Sequence, residues 1–202
     1  MSIVKSMDTI AKWAEEEICT LVKLKKPPEL GEPTDELYDY ERITPSCFTM
    51  FIPNEERISD SVPDMKPIFP SLCVQLQSGE IKGLQSTMNV MFWFSTWETG
   101  THGKDILTPN RDGTWTEGNE ESFRTLYGGW RDAWNWTDMA IEKLKKKVRI
   151  GNLEILKDIP IKFGPAKEKE DIVDAYPFWF AWLSFSVRET MPTYTEGIER
   201  FL

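Results

Sequence analysis

The decamer YPFWFAWLSF, Tyr176 to Phe185, constrains this chain more than any other stretch, because six of its ten side chains are aromatic. Successive side chains of a β-strand point to opposite faces of its sheet. One face would carry Trp179, Ala181, Leu183, Phe185 and Val187, an unbroken apolar row. The other would carry Phe178, Phe180 and Trp182, then Ser184, Ser186 and Arg188. The second face is therefore dry over its first half and wet over its second. Mean hydropathy for the whole chain is only −0.42, so this is no generally greasy protein. The strand must lie inside a sheet with one face fully in the core and something further over half of the other.

Two segments have the period of amphipathic helices. From Ile3 to Leu24, the residues Ile3, Met7, Ile10, Ala14, Ile18 and Leu21 fall on one stripe with Trp13 beside it, and Pro27-Pro28 ends the run. Lys23, Lys25 and Lys26 would suit the negative end of that helix dipole. From Trp130 to Val148 the stripe is Trp130, Ala133, Trp134, Thr137, Ala140, Ile141, Leu144 and Val148, with lysines crowding the last turn. Those lysines read as a solvated helix end or as a basic patch. Between the helices lie three strand patterns. SCFTMFI (46–52) puts Phe48, Met50 and Ile52 on one face. SLCVQLQ (71–77) alternates Leu72, Val74 and Leu76 with glutamines. STMNVMFWFSTW (86–97) alternates Met88, Val90, Phe92 and Phe94 with Asn89, Met91, Trp93, Ser95 and Trp97. SGEIKG between the last two predicts an antiparallel hairpin. After the second helix, LEIL and IPIKF precede the aromatic strand. The order predicts a single α+β domain over 1–202, a mainly antiparallel sheet packed against two helices. The proline-rich, acidic stretch 27–45 reads as a surface connection. Residues 98–129, glycine-rich and without a period, read as an inserted excursion with Trp115 in its middle.

With 24 basic and 33 acidic side chains the net charge is −9. That balance disfavours wrapping of nucleic acid, which depends on Lys and Arg, though not passage of DNA through an assembly. The three cysteines, Cys19, Cys47 and Cys73, are far apart in sequence and His102 is the only histidine. No Ser/His/Asp or Cys/His device, zinc ligand set or phosphate-cradling glycine loop can be assembled from such residues. NRDGTWTEGNEE faintly suggests a calcium loop. Setting Gly113 sixth places Thr108 first and Asn119 twelfth, where carboxylates belong. The expectation is therefore a non-enzymatic protein with no catalytic residue, cofactor or metal. No run reaches the ~20 apolar residues of a membrane span, and the opening is no signal peptide, so a cytosolic protein with free thiols is expected.

Three stretches together resemble the tail terminator, or tail completion, proteins of long-tailed bacteriophages and prophages. They are FPSLCVQL (69–76), followed by a turn and STMNVMFWFSTWE; GGWRDAWNWTDMAIEKLKKK (128–147); and IPIKFG with YPFWFAWLSFSVRETMP (159–192). The long connection from Glu98 to Leu126 and the acidic segment 27–44 depart from that pattern. The resemblance implies a structural virion protein assembled in the host bacterial cytoplasm, forming a ring, usually of six copies, on the head-proximal end of the tail. Its implied partners are other copies of itself, the tail tube protein with the sheath as a further candidate, and a neck or connector protein. DNA would be passing cargo, and no membrane is involved. A tail-like bacteriocin would need the same cap.

In a ring, surplus apolar surface on one subunit can be finished by its neighbour. Trp93, Trp97, Trp115, Phe180 and Trp182 are accordingly the candidate interface residues. The alternative is that the 98–129 excursion folds back over Trp93, Trp97, Phe180 and Trp182 within one chain. Two other functions stay open on the sequence: a neck or head-completion protein of the same particle, and a monomeric binding module with Trp93, Trp97 and Trp182 as a stacking platform.

Overall fold

The computed structural model describes residues 2–27, 40–52, 67–98, 107–109, 115–117, 129–168, 171–172 and 175–190. Helix α1 spans Ile3–Glu17 and α2 spans Trp130–Lys146. The strands in chain order are β1 (Leu24–Lys25), β2 (Arg42–Ile43), β3 (Ser46–Thr49), β4 (Ser71–Lys82), β5 (Gln85–Trp97), β6 (Leu107–Pro109), β7 (Trp115–Glu117), β8 (Arg149–Ile150), β9 (Leu153–Ile155), β10 (Lys162–Pro165), β11 (Lys167–Glu168), β12 (Asp171–Ile172) and β13 (Phe178–Thr190). The fold is α+β, as the sequence predicts. The principal sheet has the order β3-β4-β5-β13-β9-β8, with β10 also pairing with β13, and only the β3–β4 pair is parallel.

The aromatic strand is central. β13 pairs antiparallel with β5 along its whole length, from Phe178 opposite Trp97 to Thr190 opposite Gln85. β4 and β5 form the predicted hairpin, with Gly83 at φ 61 as the first of its two turn residues. A positive φ there matches the strand twist and costs glycine little. The ladder shifts register between Leu76 and Ser78. Beyond this bulge the odd-numbered residues of β4 share the face that Leu72, Val74 and Leu76 occupy before it.

Both helices cover one face of the sheet, α1 over β3, β4 and β8 and α2 over β5 and β13. Leu72, Val74, Met88, Val90, Phe92, Phe94, Leu183, Phe185 and Val187 are buried beneath them with Met7, Ile10, Trp13 and Ile18 of the first helix and its end. Ser2 caps α1, its hydroxyl accepting from the Lys5 amide at 3.4 Å. Lys157 closes α2 from outside, its ammonium donating to the last-turn carbonyls of Leu144 and Lys145. Burial holds that amine's pKa below the ordinary lysine range.

Four sequence expectations shift. First, α1 stops at Glu17 and a 3-10 turn, Cys19–Leu21, follows. Lys25 consequently lies in β1 and not at a helix end. Second, Met50 adopts φ 70, which ends β3 early and leaves its side chain 48% exposed. Third, α2 is turned about its axis relative to the predicted stripe. Trp136 is fully buried, whereas Trp130 is exposed and Trp134 is half-buried; the helix ends at Lys146, so the exposed Val148 lies beyond it. The stripe Ala133, Trp136, Thr137, Ala140, Ile141 and Leu144 has the same helical spacing as the predicted one, so periodicity alone could not choose between them. Packing chooses: Trp136 meets Phe94 edge-on at 5.0 Å and its indole N–H donates to the Ile18 carbonyl at 3.0 Å. Fourth, Trp179 is half-buried and not deep core like Leu183 and Phe185. The acidic connection and the excursion lie largely outside the described residues.

Trp136 thus joins both helices to the sheet. Trp136→Ala should cost ~3–5 kcal/mol, the usual loss for a large buried ring. Trp136→Phe keeps most of the ring but loses the bond to Ile18, and should cost about 1–2 kcal/mol. Urea denaturation with an unchanged m-value measures both, and a loss below ~1 kcal/mol for Trp136→Ala would remove this residue from the core.

Candidate functional site

The site is the sheet face turned away from the helices. Strand alternation and the pairing register place Phe48, Cys73, Trp93, Trp182 and Gly164 in one row across β3, β4, β5, β13 and β10. Among the described residues no helix crosses this row. Trp93 and Trp182 stand directly opposite each other on adjacent strands, where cross-strand aromatic pairs stabilise a sheet. Both are half-buried.

Each indole is anchored away from the other. Trp93 Nε1 donates to Gln75 Oε1 on β4 at 2.9 Å. Trp182 Nε1 donates to the Pro165 carbonyl at 2.9 Å, on the opposite side. A Cβ at Gly164 would come within 2.9 Å of the Trp182 ring. Glycine at 164 is thus what lets the indole lie against the β10 backbone. Gln75 uses its other end as well, donating to the Met50 carbonyl at 3.0 Å.

Above this row the face is closed. Phe69 packs on Phe178 at 4.6 Å and on Phe180 at 6.3 Å between ring centroids. Ser46, Ser71 and Ser95, which form the next row, are buried. Below it the face turns polar. Ser186 donates to Asn89 Oδ1 at 2.6 Å, Asn89 Nδ2 donates to Ser78 at 2.8 Å, and Arg188 pairs with Glu154 at 3.0 Å.

The five candidate residues therefore separate. Trp93 and Trp182 come together on the open part of the face, and Phe180 lies beside them at its closed end, under Phe69. Trp97 is only 6% exposed and is covered by Tyr40, ring against ring at 4.9 Å, so it belongs to the chain's own packing. Trp115 lies in β7, paired with β6, and its side chain is outside the described residues, as is His102. Parts of the same chain outside 98–129 also cover this face: Phe69 packs on Phe180, and β10 lies against Trp182. Phe48 joins the row through the parallel pairing of β3 with β4, which the alternation of 46–52 does not announce.

A second apolar feature lies at the start of α2. Trp130, Trp134, Ile172, Phe178, Trp179 and Phe180 line a cleft of about 360 Å³. Phe163 meets Trp134 edge-on at 6.2 Å and is 56% exposed. Beside the cleft, Lys25 pairs with Glu98 at 2.7 Å, both largely buried. Burial, with the nearby Glu98 carboxylate, raises the Asp132 pKa, while Lys25 and Arg42 pull it back. Among the described residues no three His, Cys, Asp or Glu side chains come together as metal ligands, and no helix is long and apolar enough to cross a membrane.

With this geometry in hand, comparison with known proteins adds no relative: no family model and no curated protein matches the chain.

Cys73 is fully buried in the row and burial pushes its pKa up to about 11. Only the thiolate attacks alkylating agents. At pH 8 iodoacetamide should therefore leave Cys73 unmodified in the native protein and label it fully in urea, and rapid native labelling would show the row to be open at that point. Asp132 has a folded-state pKa above its unfolded value. Its contribution is complete below the unfolded pKa and lost as pH rises through the folded one. Asp132→Asn should match the parent at pH 3 and melt higher at pH 7; a lower melting point at pH 7 would mean that the carboxylate is net stabilising.

Proposed function

We propose that this protein is a ring-forming tail terminator: copies of it cap the head-proximal end of a phage or phage-like tail tube, stop its growth and present a surface to the neck. The observation that supports this best is the one-sided construction of the sheet. Two helices seal one face, and the other keeps Phe48, Trp93 and Trp182 half-buried in one row, with Phe180 half-buried beside it. Such a strip suits a neighbouring copy.

The three sequence stretches that carry the resemblance also converge. Phe69, which opens the first, packs on Phe178 of the third. Gly129, the second residue of the second, lies against Trp179 of the third. Motifs separated by tens of residues thus build one end of one sheet. This supports reading them as a unit and not as three coincidences. The neck or head-completion role shares this support and differs in the partner bound. The second reading, a stacking platform for a small ligand, draws on the facing pair Trp93 and Trp182.

Under the terminator reading, free copies of a chain with net charge −9 repel one another, and the tube end supplies the template. Light scattering should show a small species alone and a ring on tubes when tube protein is added. Phe185→Ala, in the deep core, should cost ~3–5 kcal/mol and threaten the fold. Trp182→Ala should melt closer to the parent yet leave tails of uncontrolled length. Protein that never joins tubes would remove the terminator reading, and equal unfolding by both substitutions would remove the interface role of Trp182.

A further inference from the structure

Phe51 and the cleft at the start of α2 lie near the two ends of one row across the sheet. The registers run from Thr49 through Val74, Phe92 and Leu183 to Phe163. Strands spaced by ~4.8 Å put the ends of that row roughly 20 Å apart. At one end, Phe51 follows Thr49 by two residues. At the other, Phe163 packs edge-on against Trp134, a wall of the cleft.

The first end projects. Met50 holds φ 70, a conformation that costs a residue with a Cβ about 1 kcal/mol or more. Two hydrogen bonds keep it there: its amide donates to the Val74 carbonyl at 2.8 Å, and its carbonyl accepts from Gln75 Nε2 at 3.0 Å. The bend ends β3, and Phe51 beyond it is 69% exposed. The second end is hollow. The cleft of about 360 Å³ has Trp130, Trp134, Ile172 and Trp179 among its walls, and Trp130 and Ile172 are themselves exposed. A phenyl ring entering it would exchange water for aromatic and aliphatic surface.

A knob at one side of the sheet cannot reach a hollow at the other within one chain, because five strands lie between them. Copies set side by side along the row bring the two together. Such a contact joins two different patches, and contacts of that kind repeat into a ring when the rotation closes. We infer that Phe51 of one copy seats in the Trp130–Trp134–Ile172 cleft of the next. This rests on the ring-forming reading above and names its contact. The area involved fits that reading. One aromatic knob buries on the order of 150–250 Å² of its own surface, far less than the ~1,000 Å² of an interface that stands alone. The contact thus suits copies that stay apart when free and close up where a tube end aligns them.

The test uses concentrated full-length protein without tube protein and a short bismaleimide linker that joins nearby thiols. Phe51→Cys and Ile172→Cys both alter exposed side chains and should melt close to the parent. Mixed together, they should give a linked pair well above the background set by the parent's own thiols. Lys82→Cys, at the far end of β4, mixed with Ile172→Cys should stay at that background. No excess of linked pairs over this control overturns the inference. Linkage of Phe51→Cys to itself as efficient as in the mixture overturns it too, since the copies would then meet through matching patches. In sedimentation equilibrium, Phe51→Ala should weaken self-association about tenfold, and an unchanged association constant counts against the knob. Linked copies that never join tubes would keep this contact and remove the terminator reading, whereas tube capping without linkage would do the reverse.

Discussion

The pairing of β13 with β5 is the constraint on which the rest depends. It runs over the full thirteen residues of each strand. Because the register is continuous, it sets which side chains share a face all the way from Phe178 to Thr190. A slip of one residue would turn Leu183, Phe185 and Val187 outward and bring Ser184, Ser186 and Arg188 under the helices. Every other large feature hangs on this pair: β4 on the far side of β5, β10 and β9 on the far side of β13, and α2 across both.

The helix-covered face is specified by shape as well as by hydrophobicity. Phe92 meets Phe185 edge-on at 5.1 Å and Phe94 at 6.4 Å, and Phe94 meets Trp136 in the same way. Edge-to-face contacts favour the ring quadrupoles over flat stacking. They fix where α2 can sit, because only one rotation of the helix brings Trp136 into the slot and its N–H to the Ile18 carbonyl. The ends of the helix are then settled from outside, by Gly129 against Trp179 at the start and by Lys157 at the finish.

The alternation of β4, β5 and β13 was legible in the sequence because each strand buries one face against helices, and a period of two then records the fold directly. The rotation of α2 was not legible. Its tryptophans at 130, 134 and 136 mark two overlapping apolar stripes, and only the distant Phe94 and Ile18 decide between them. The cover over Trp182 was illegible for a related reason. It depends on Gly164 and Pro165, and nothing near those residues announces which indole will lie against them. Trp97 read as a candidate for an interface since its own strand gives no hint of Tyr40, which approaches from beyond a stretch of acidic chain. Local pattern thus predicted which residues are apolar on which face. It could not predict which of them the chain covers by itself.

What remains open on the second face has a definite chemistry. The indole N–H groups of Trp93 and Trp182 are already bonded, to Gln75 and Pro165. Gln75 is engaged at both ends of its amide, and Asn89 likewise, between Ser78 and Ser186. The strip therefore offers ring faces and methylene surface, but few unsatisfied hydrogen-bonding groups. A sugar stacked on such a surface would find its hydroxyls answered only by the second hydrogen and lone pair of each amide and by the Ser184 hydroxyl, and each unmet hydroxyl is costly. An apolar protein surface incurs no such cost and gains from every ring it covers. The hydrogen bonding within the subunit thus favours a protein partner over a carbohydrate for Trp93 and Trp182. It also confines that partner to the middle of the sheet, between the end closed by Phe69 and the end made polar by Ser186 and Arg188.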